Sequence, residues 1–127
     1  QRKGKVRTLL GRLCRFHLWE PNQFGIHKPL PHDDALAEHG PGIRRAYTYK
    51  ALNRLIQGSA ADMTKKAMID LHAEGIVPHL QVHDELDISV QNKKEADKIK
   101  EIMESTVTLE VPNKVDYEEG DNWGSIK

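Results

Sequence analysis

The chain has 127 residues, of which 30% are charged and 6% aromatic, with a net charge of zero. This length and composition suit one globular domain or part of one. A single cysteine, Cys14, excludes an internal disulfide and a cysteine-based zinc site. No apolar run approaches the ~20 residues of a membrane-spanning helix, and residues 1–5 lack the apolar segment of a secretory signal, so we expect no membrane partner.

The charges are unevenly distributed along the chain. Residues 1–66 hold 13 Lys/Arg and 5 Asp/Glu, whereas residues 67–127 hold 6 and 14, so the two halves carry net charges of +8 and −8. This asymmetry indicates a basic face for a polyanion, unless the charges mix in space after folding.

Residues 1–18 are predicted to form a basic hairpin. Val6, Thr8 and Leu10 alternate with other residues, Gly11 with Arg12 marks a turn, and apolar residues resume at Leu13. The basic residues of the hairpin are Arg2, Lys3, Lys5, Arg7, Arg12 and Arg15. Such a ribbon is suited to lie along phosphates, or it is a solvated edge strand protected by its charges.

Residues 19–43 are predicted to be a loop insertion, because four prolines and three glycines interrupt any periodic pattern. Its purpose is left open. The segment contains His27, His32, Asp33 and His39, but their spacing matches no usual zinc site.

Residues 44–74 are predicted to form a helical region, which follows Pro41-Gly42 and ends at Gly75. Ser59, with Asp62 three residues later, resembles a capping box, which predicts a kink or a restart near Gly58.

Two faces of this helix can be distinguished. One carries the expected core stripe of Ala60, Met63, Ala67 and Leu71. On the other, Asn53 and Gln57 project together because they are four residues apart, with Lys50 and Arg54 beside them.

Residues 76–90 are predicted to form a β-hairpin, because Leu86, Ile88 and Val90 alternate with polar residues after a first apolar stretch. His83, Asp84 and Glu85 lie at or beside its turn. Two adjacent carboxylates on a rigid turn suit a hard cation such as Mg²⁺, although most Asp-Glu pairs are solvated surface.

Residues 92–127 are predicted to form a helix and a strand. Asn92 and Glu95 can cap the helix. Its expected inward face consists of Ala96, Ile99, Met103 and Thr106. A last strand is expected around residues 114–118.

Four stretches together resemble family A DNA polymerases, the group of bacterial DNA polymerase I and many phage replicases. These stretches are residues 4–12 (Gly-Lys-Val-Arg-Thr-Leu-Leu-Gly-Arg), residues 53–62 (Asn-Arg-Leu-Ile-Gln-Gly-Ser-Ala-Ala-Asp), residues 81–86 (Gln-Val-His-Asp-Glu-Leu) and the ending from Val111-Pro112 to Asn122-Trp123. The resemblance covers nearly the whole chain except residues 19–43.

The resemblance implies an α+β fold, the C-terminal part of a polymerase palm subdomain, in which an antiparallel sheet contains the 77–90 hairpin and helices pack on it. Asp84 would be a catalytic, metal-binding carboxylate of a two-Mg²⁺ site, and Glu85 its neighbour or a water-mediated ligand. His83 would approach the primer terminus. Asn53 and Gln57 would face the minor groove, where every correct base pair offers similar acceptors.

The resemblance also implies DNA contacts by Lys50, Arg54, Arg7 and Arg12. The implied partners are primer–template DNA, deoxynucleoside triphosphates and the remainder of the polymerase chain, and the implied location is the cytoplasm of a bacterial or phage-infected cell.

The sequence departs from the bacterial pattern at two positions. Tyr49 stands where bacterial members often have arginine, and Leu55 stands where they often have proline, which favours phage-like members. The first metal-binding aspartate motif and the fingers helix are absent, so we expect a polymerase fragment that is inactive alone, with a role in replication or repair. The alternatives are a non-catalytic DNA-binding module and a metal-dependent phosphodiesterase using Asp84, Glu85 and a loop histidine.

Overall fold

The computed structural model describes residues 3–126, so the predicted ribbon residue Arg2 lies outside the described part. The described residues form an α+β structure, as predicted, with three α-helices and small, separate antiparallel sheets. The chain divides into two compact units, Gln1–Ser59 and Ala60–Lys127.

The first unit begins with a two-stranded ribbon, which confirms the hairpin predicted near the N-terminus. Strands β1 (Lys5–Arg7) and β2 (Leu13–Arg15) pair antiparallel. The connection closes through backbone hydrogen bonds of 2.9 Å from the Thr8 amide to the Arg12 carbonyl and from the Gly11 amide to the Thr8 carbonyl. Gly11 has a φ of +90°, which a glycine adopts without steric cost.

Residues 19–43 are not the loop that the sequence predicts. They include most of strand β3 (Leu18–Pro21), all of β4 (Leu30–Pro31) and helix α1 (His32–His39), and they reach strand β5 (Ile43–Arg45). Strand β3 pairs antiparallel with both β4 and β5.

The hydrophobic pattern of residues 19–43 does not predict these strands and this helix, for physical reasons. The strands are two to four residues long, and β3 and β5 are far apart in sequence. Helix α1 has no side-chain cap and buries only Ala35. The sequence therefore contains neither a capping residue nor an apolar stripe that would predict this helix.

The long helix α2 (Ala51–Ala73) begins later than predicted and is continuous. The residues expected as its first turns form strand β5 and a 3₁₀ turn at Thr48–Lys50. The predicted kink at Ser59 is wrong, because the Ser59 hydroxyl donates to the Leu55 carbonyl at 2.6 Å within the same helix instead of capping a new one.

The ribbon turn lies against α2 at Gly58. A Cβ on Gly58 would lie 2.9 Å from Thr8 Cγ2. Next to this contact, Arg12 Nη2 donates to the Gly58 carbonyl at 2.9 Å and the Leu9 amide donates to Ser59 Oγ at 3.0 Å. Because glycine has no side chain, the ribbon turn can approach α2 closely at residue 58, and these two hydrogen bonds stabilise the contact.

The second unit contains the C-terminal half of α2, strands β6 (Leu80–Val82) and β7 (Glu85–Asp87), and helix α3 (Lys93–Ser105). The expected α3 cap is confirmed, because Asn92 Oδ1 accepts from the Glu95 amide at 3.0 Å. The main buried apolar side chains of this unit are Ala67, Leu71, Ala96 and Ile99, so two of the four residues in the predicted α2 stripe are buried, whereas Ala60 is exposed.

The strand predicted around residues 114–118 is wrong, because residues 112–120 have no regular secondary structure. Polar side and main chains of α3 bind this segment in place of a neighbouring strand. The Val115 amide donates to Glu104 Oε1 at 2.9 Å, and Asn113 Nδ2 donates to the Met103 carbonyl at 3.3 Å.

A polar cluster ties α2 to the end of α3. Asp70 accepts from Lys66 Nζ at 2.8 and 2.9 Å and from the Thr106 hydroxyl at 2.5 Å. The hydrogen bond from Lys66, followed by that from Thr106, holds the pKa of the Asp70 carboxyl below its ordinary value of 3.8. Both bonds favour the ionised form.

We predict that Gly58→Ala destabilises the chain by about 1–3 kcal/mol, the usual range for overpacking a close contact. Replacing glycine by alanine normally stabilises a helix interior. Here we expect the free energy of unfolding to fall instead, because the added methyl group would clash with Thr8. The measurement is the midpoint of urea unfolding.

The matched control is Gly42→Ala. Its Cβ would meet nothing within 4 Å, so we expect its midpoint to stay the same or to rise slightly. A Gly58→Ala midpoint equal to or above the parent value would contradict the close approach of Thr8 to Gly58.

We predict that Asp70→Asn destabilises the second unit at pH 7 and that its difference from the parent shrinks below about pH 4. Because the pKa of Asp70 is lowered on folding, its stabilisation is present above the ordinary value of 3.8 and is lost as the pH falls through the lowered value. Urea midpoints at pH 7, 5 and 3 test this, with exposed Asp116→Asn as the control. A difference that does not depend on pH would exclude a role for the Asp70 charge.

Candidate functional site: an acidic hairpin turn and a basic ribbon with its helix

The hairpin turn consists of two residues, His83 and Asp84, because Val82 pairs directly with Glu85. His83 has a φ of +53°. Two-residue hairpin turns of the favoured types require a positive φ at this first central position, which non-glycine residues adopt at a steric cost. The Gln81 side-chain amide donates to the His83 carbonyl and further fixes the turn.

This turn presents Asp84 and Glu85 to solvent next to each other. Both residues are exposed, as is His83. The ladder below the turn continues through the His79 amide, which donates to the Asp87 carbonyl at 2.8 Å. Two carboxylates are therefore held on a short, hydrogen-bonded support.

The carboxylates of this turn suit a divalent cation in part. Carboxylate oxygens are the ligands that Mg²⁺ prefers, and this ion is often bound by one or two carboxylates together with substrate phosphates. Among residues 3–126, no group of three or more His, Cys, Asp or Glu side chains has a geometry that could hold a metal ion. The turn therefore offers only part of the oxygen donor set that such an ion needs.

Asp87 is a further carboxylate that the sequence analysis did not single out. It lies on the same face of β7 as Glu85, because residues two apart on a strand share a face. Its Oδ2 atom is buried and has no hydrogen-bond partner among the described residues. The alternation of the sequence indicated only a solvent-facing polar residue there.

On α2, the predicted DNA-facing residues separate into two kinds. Asn53, Gln57 and Lys50 are exposed. Arg54 is half-buried, with its guanidinium 4.9 Å from the centre of the Phe16 ring and its Nη1 donating to Cys14 Sγ at 3.6 Å. Arg54 thus packs between the helix and the ribbon, whereas the other three side chains face solvent.

The two arginines predicted to contact DNA from the ribbon are exposed and also bind the backbone. Arg7 Nη1 donates to the Gly11 carbonyl at 2.9 Å, and Arg12 Nη2 binds the Gly58 carbonyl. Arg12 therefore holds the ribbon to the helix, a role that its spacing in the sequence could not reveal.

The histidines of residues 19–43 do not gather into a metal site within the described part of the chain. The rings of His27 and His39 have centroids 6.3 Å apart, and His32 Nδ1 lies 2.9 Å from Asp33 Oδ1. No helix of residues 3–126 is both long enough and apolar enough to cross a membrane.

The fold and the turn together describe an α+β chain with a carboxylate-bearing hairpin in one unit and a basic ribbon with a polar helix face in the other. A family profile described as DNA polymerase family A matches residues 1–125. The chain therefore belongs to DNA polymerase family A, as the motifs predicted.

Individual relatives agree with this assignment. The chain is 39% identical over 121 residues to a DNA-directed DNA polymerase of Pseudomonas phage M6, a match that covers 95% of this chain and 15% of the phage protein. It is 48% identical over 87 residues to DNA polymerase I of Bacillus caldotenax, covering 61% of this chain and 10% of that protein.

A third relative, the thermostable DNA polymerase I of Thermus aquaticus, is 33% identical over 135 residues, covering 100% of this chain and 14% of its own length. The chain thus spans between 10% and 15% of the length of these three relatives.

Proposed function

We propose that this chain is the C-terminal palm part of a DNA-directed DNA polymerase that adds deoxynucleotides to a primer on a template strand. The observation that carries the proposal is the pair of exposed carboxylates on a two-residue turn, found in a chain that a polymerase family profile matches over residues 1–125. The working location would be the cytoplasm of a bacterial or phage-infected cell, in replication or repair.

In this proposal Asp84 is a metal ligand and Glu85 is its neighbour or a ligand through water. When bound, two Mg²⁺ ions would activate the primer hydroxyl and stabilise the charge of the transferred phosphoryl group. The contribution of the chain itself is positional: the short ladder of β6 and β7 fixes the backbone of the turn that carries the two exposed carboxylates.

His83 is proposed to approach the primer terminus. The His83 side chain is exposed, and the turn that carries Asp84 also fixes the backbone of His83. Positioning of the reacting groups supplies much of the rate enhancement in phosphoryl transfer, and a histidine beside the metal ligands is suited to that role.

Asn53 and Gln57 are proposed to test base-pair geometry from the minor groove. Both are exposed and lie one turn apart on the same face of α2. Their side-chain amides can donate to purine N3 and pyrimidine O2, which occur at similar places in all correct pairs. Such contacts favour a correctly paired end without reading its sequence. Lys50 would add a nearby phosphate contact.

The remaining ligands and the residues that grip the triphosphate are proposed to come from other parts of the polymerase chain. The described residues offer a partial donor set, and Mg²⁺ needs further oxygen ligands to complete its octahedron.

We predict that Asp84→Asn in the complete polymerase lowers the rate of the chemical step by several orders of magnitude and leaves DNA affinity nearly unchanged, because phosphate contacts dominate affinity. Single-turnover primer extension with a parallel binding titration measures both quantities. Exposed Asp97→Asn on α3 is the matched control and should behave like the parent. A near-normal single-turnover rate in Asp84→Asn would overturn the assignment.

We predict that the 127-residue chain alone binds primer–template at low salt but incorporates no nucleotide at any Mg²⁺ concentration. Half a site cannot complete the metal coordination or position the triphosphate. The measurement is extension of a labelled primer, with Asp84→Asn prepared in parallel to detect contaminating polymerase. Extension that depends on Asp84 would show that the site is complete within this chain.

A further inference from the structure

One side of the β6–β7 hairpin combines apolar and acidic side chains. The register pairs Leu80 with Asp87 and Val82 with Glu85. Residues directly opposite each other, and residues two apart on one strand, point to the same side of a sheet. These four residues therefore form one surface, the hairpin face, which begins next to Asp84 of the turn.

The apolar part of the hairpin face is open to solvent. Leu80 and Val82 are 48% and 40% exposed. Strands β6 and β7 form a sheet of two strands, and such a hairpin is marginally stable in water unless a further strand or a helix covers its apolar side chains. An element that covered Leu80 and Val82 would therefore stabilise the hairpin that carries the turn.

Asp87 adds a carboxylate with an unmet requirement. Its Oδ2 atom is buried and has no hydrogen-bond partner among residues 3–126. A carboxylate that has lost part of its hydration needs a hydrogen bond or a cation to offset that loss. Asp87 as a whole is half-buried, so a group from outside can reach the rest of the carboxylate. A cation at that accessible side would stabilise the charge.

The charge of the hairpin face decides which kind of partner fits it. Glu85 and Asp87 place two carboxylates on the same side of β7, at positions about 6.6 Å apart along the strand. Phosphates and anionic lipid headgroups are repelled by such a pair. A second copy of this chain, docked symmetrically, would place the same carboxylates opposite each other. A protein segment that carries Lys or Arg beside an apolar side chain is complementary in both respects.

We propose that the hairpin face binds a segment of the complete polymerase that lies outside this chain, with a Lys or Arg side chain at Asp87 and an apolar side chain over Leu80 and Val82. The inference rests on the proposed polymerase function for the source of that segment. This chain covers between 10% and 15% of the length of three polymerase relatives, so such a polymerase has ample further chain to supply it.

The role of Asp87 in this proposal is positional. It lies three residues after Asp84, on the strand that leads away from the turn. A segment held at Asp87 therefore fixes the hairpin against the part of the polymerase that supplies the remaining metal ligands. Asp87 itself touches neither the metal ions nor the substrate.

The test compares one substitution in two settings, the 127-residue chain alone and the complete polymerase. Asp87→Asn keeps the shape of the side chain and removes its charge. The measurement is hydrogen–deuterium exchange of the backbone amides of residues 80–88, with a chelator present so that no divalent ion contributes. In the chain alone, we expect exchange to be unchanged or slower. In the complete polymerase, we expect it to become about tenfold faster, because a hydrogen bond between charged groups is lost.

Two further variants serve as controls. Asp116→Asn replaces an exposed aspartate outside the hairpin face and should leave the exchange of residues 80–88 unchanged in both settings. Asp87→Glu keeps the charge and should retain most of the protection in the complete polymerase. Loss of protection in Asp87→Glu equal to that in Asp87→Asn would exclude the ion pair.

Single-turnover primer extension gives a readout that a merely structural role would not move. If Asp87 positions the turn, Asp87→Asn should lower the rate of the chemical step by roughly 10- to 100-fold and leave DNA affinity unchanged. Raising the Mg²⁺ concentration should restore part of that rate, because Asp84 is still present. It should restore none of the rate in Asp84→Asn.

The outcomes separate this inference from the proposed function. If Asp87→Asn changes exchange by the same factor in both settings, or changes it in neither, the docking inference is overturned. A difference that appears only when Mg²⁺ is added, or protection that rises with the concentration of the chain alone, also overturns it, because a metal ion or a second copy then occupies the face. In each case inactivity of Asp84→Asn still supports the polymerase proposal. If Asp84→Asn extends primers like the parent, the proposed function itself fails.

Discussion

The close approach of the ribbon turn to helix α2 at Gly58 is the constraint on which the first unit depends. No side chain fits there, because a Cβ would lie 2.9 Å from Thr8 Cγ2. Two hydrogen bonds, from Arg12 to the Gly58 carbonyl and from the Leu9 amide to Ser59, hold the contact. They hold the ribbon against the helix, where Arg54 Nη1 also donates to Cys14 Sγ. The missing side chain at Gly58 thus allows the ribbon and the helix to pack against each other.

In the second unit the turn proposed to bind metal is separate from the packing. The buried contacts of α2 and α3, together with the Asp70 cluster, hold the unit together without using the hairpin turn. Asp84 and Glu85 are exposed and contribute no packing. His83 takes a left-handed conformation with a steric cost. A strained turn bearing two exposed carboxylates is expected where position matters more than stability.

The sequence predicted the elements whose signals are local. Gly11 and the alternation around it located the ribbon, and Asn92 and Glu95 located the start of α3. The flanking apolar residues located the turn of the second hairpin at or beside residues 83–85. The errors concern long-range contacts. Ser59 looks like a helix cap but bonds within its own helix and to the ribbon, and the segment 112–120 is held by α3 side and main chains rather than by a strand.

For the candidate site, the sequence likewise predicted the features that depend on neighbouring residues and missed those that depend on distant ones. Its residues could be named from motifs, because each motif is a short run of the sequence. The structural tasks of Arg12 and Arg54 could not be predicted, because their partners lie 46 and 40 residues away.

The central claim is that the carboxylates of the hairpin turn are the metal-binding part of this chain. Paramagnetic broadening of backbone amide signals by substoichiometric Mn²⁺ tests it without requiring catalysis, because Mn²⁺ takes the same oxygen ligands as Mg²⁺. The account predicts that the amides of residues 83–86 broaden first and that Asp84→Asn removes this broadening. Selective broadening of the acidic segment at residues 116–121, with residues 83–86 unaffected, would contradict it.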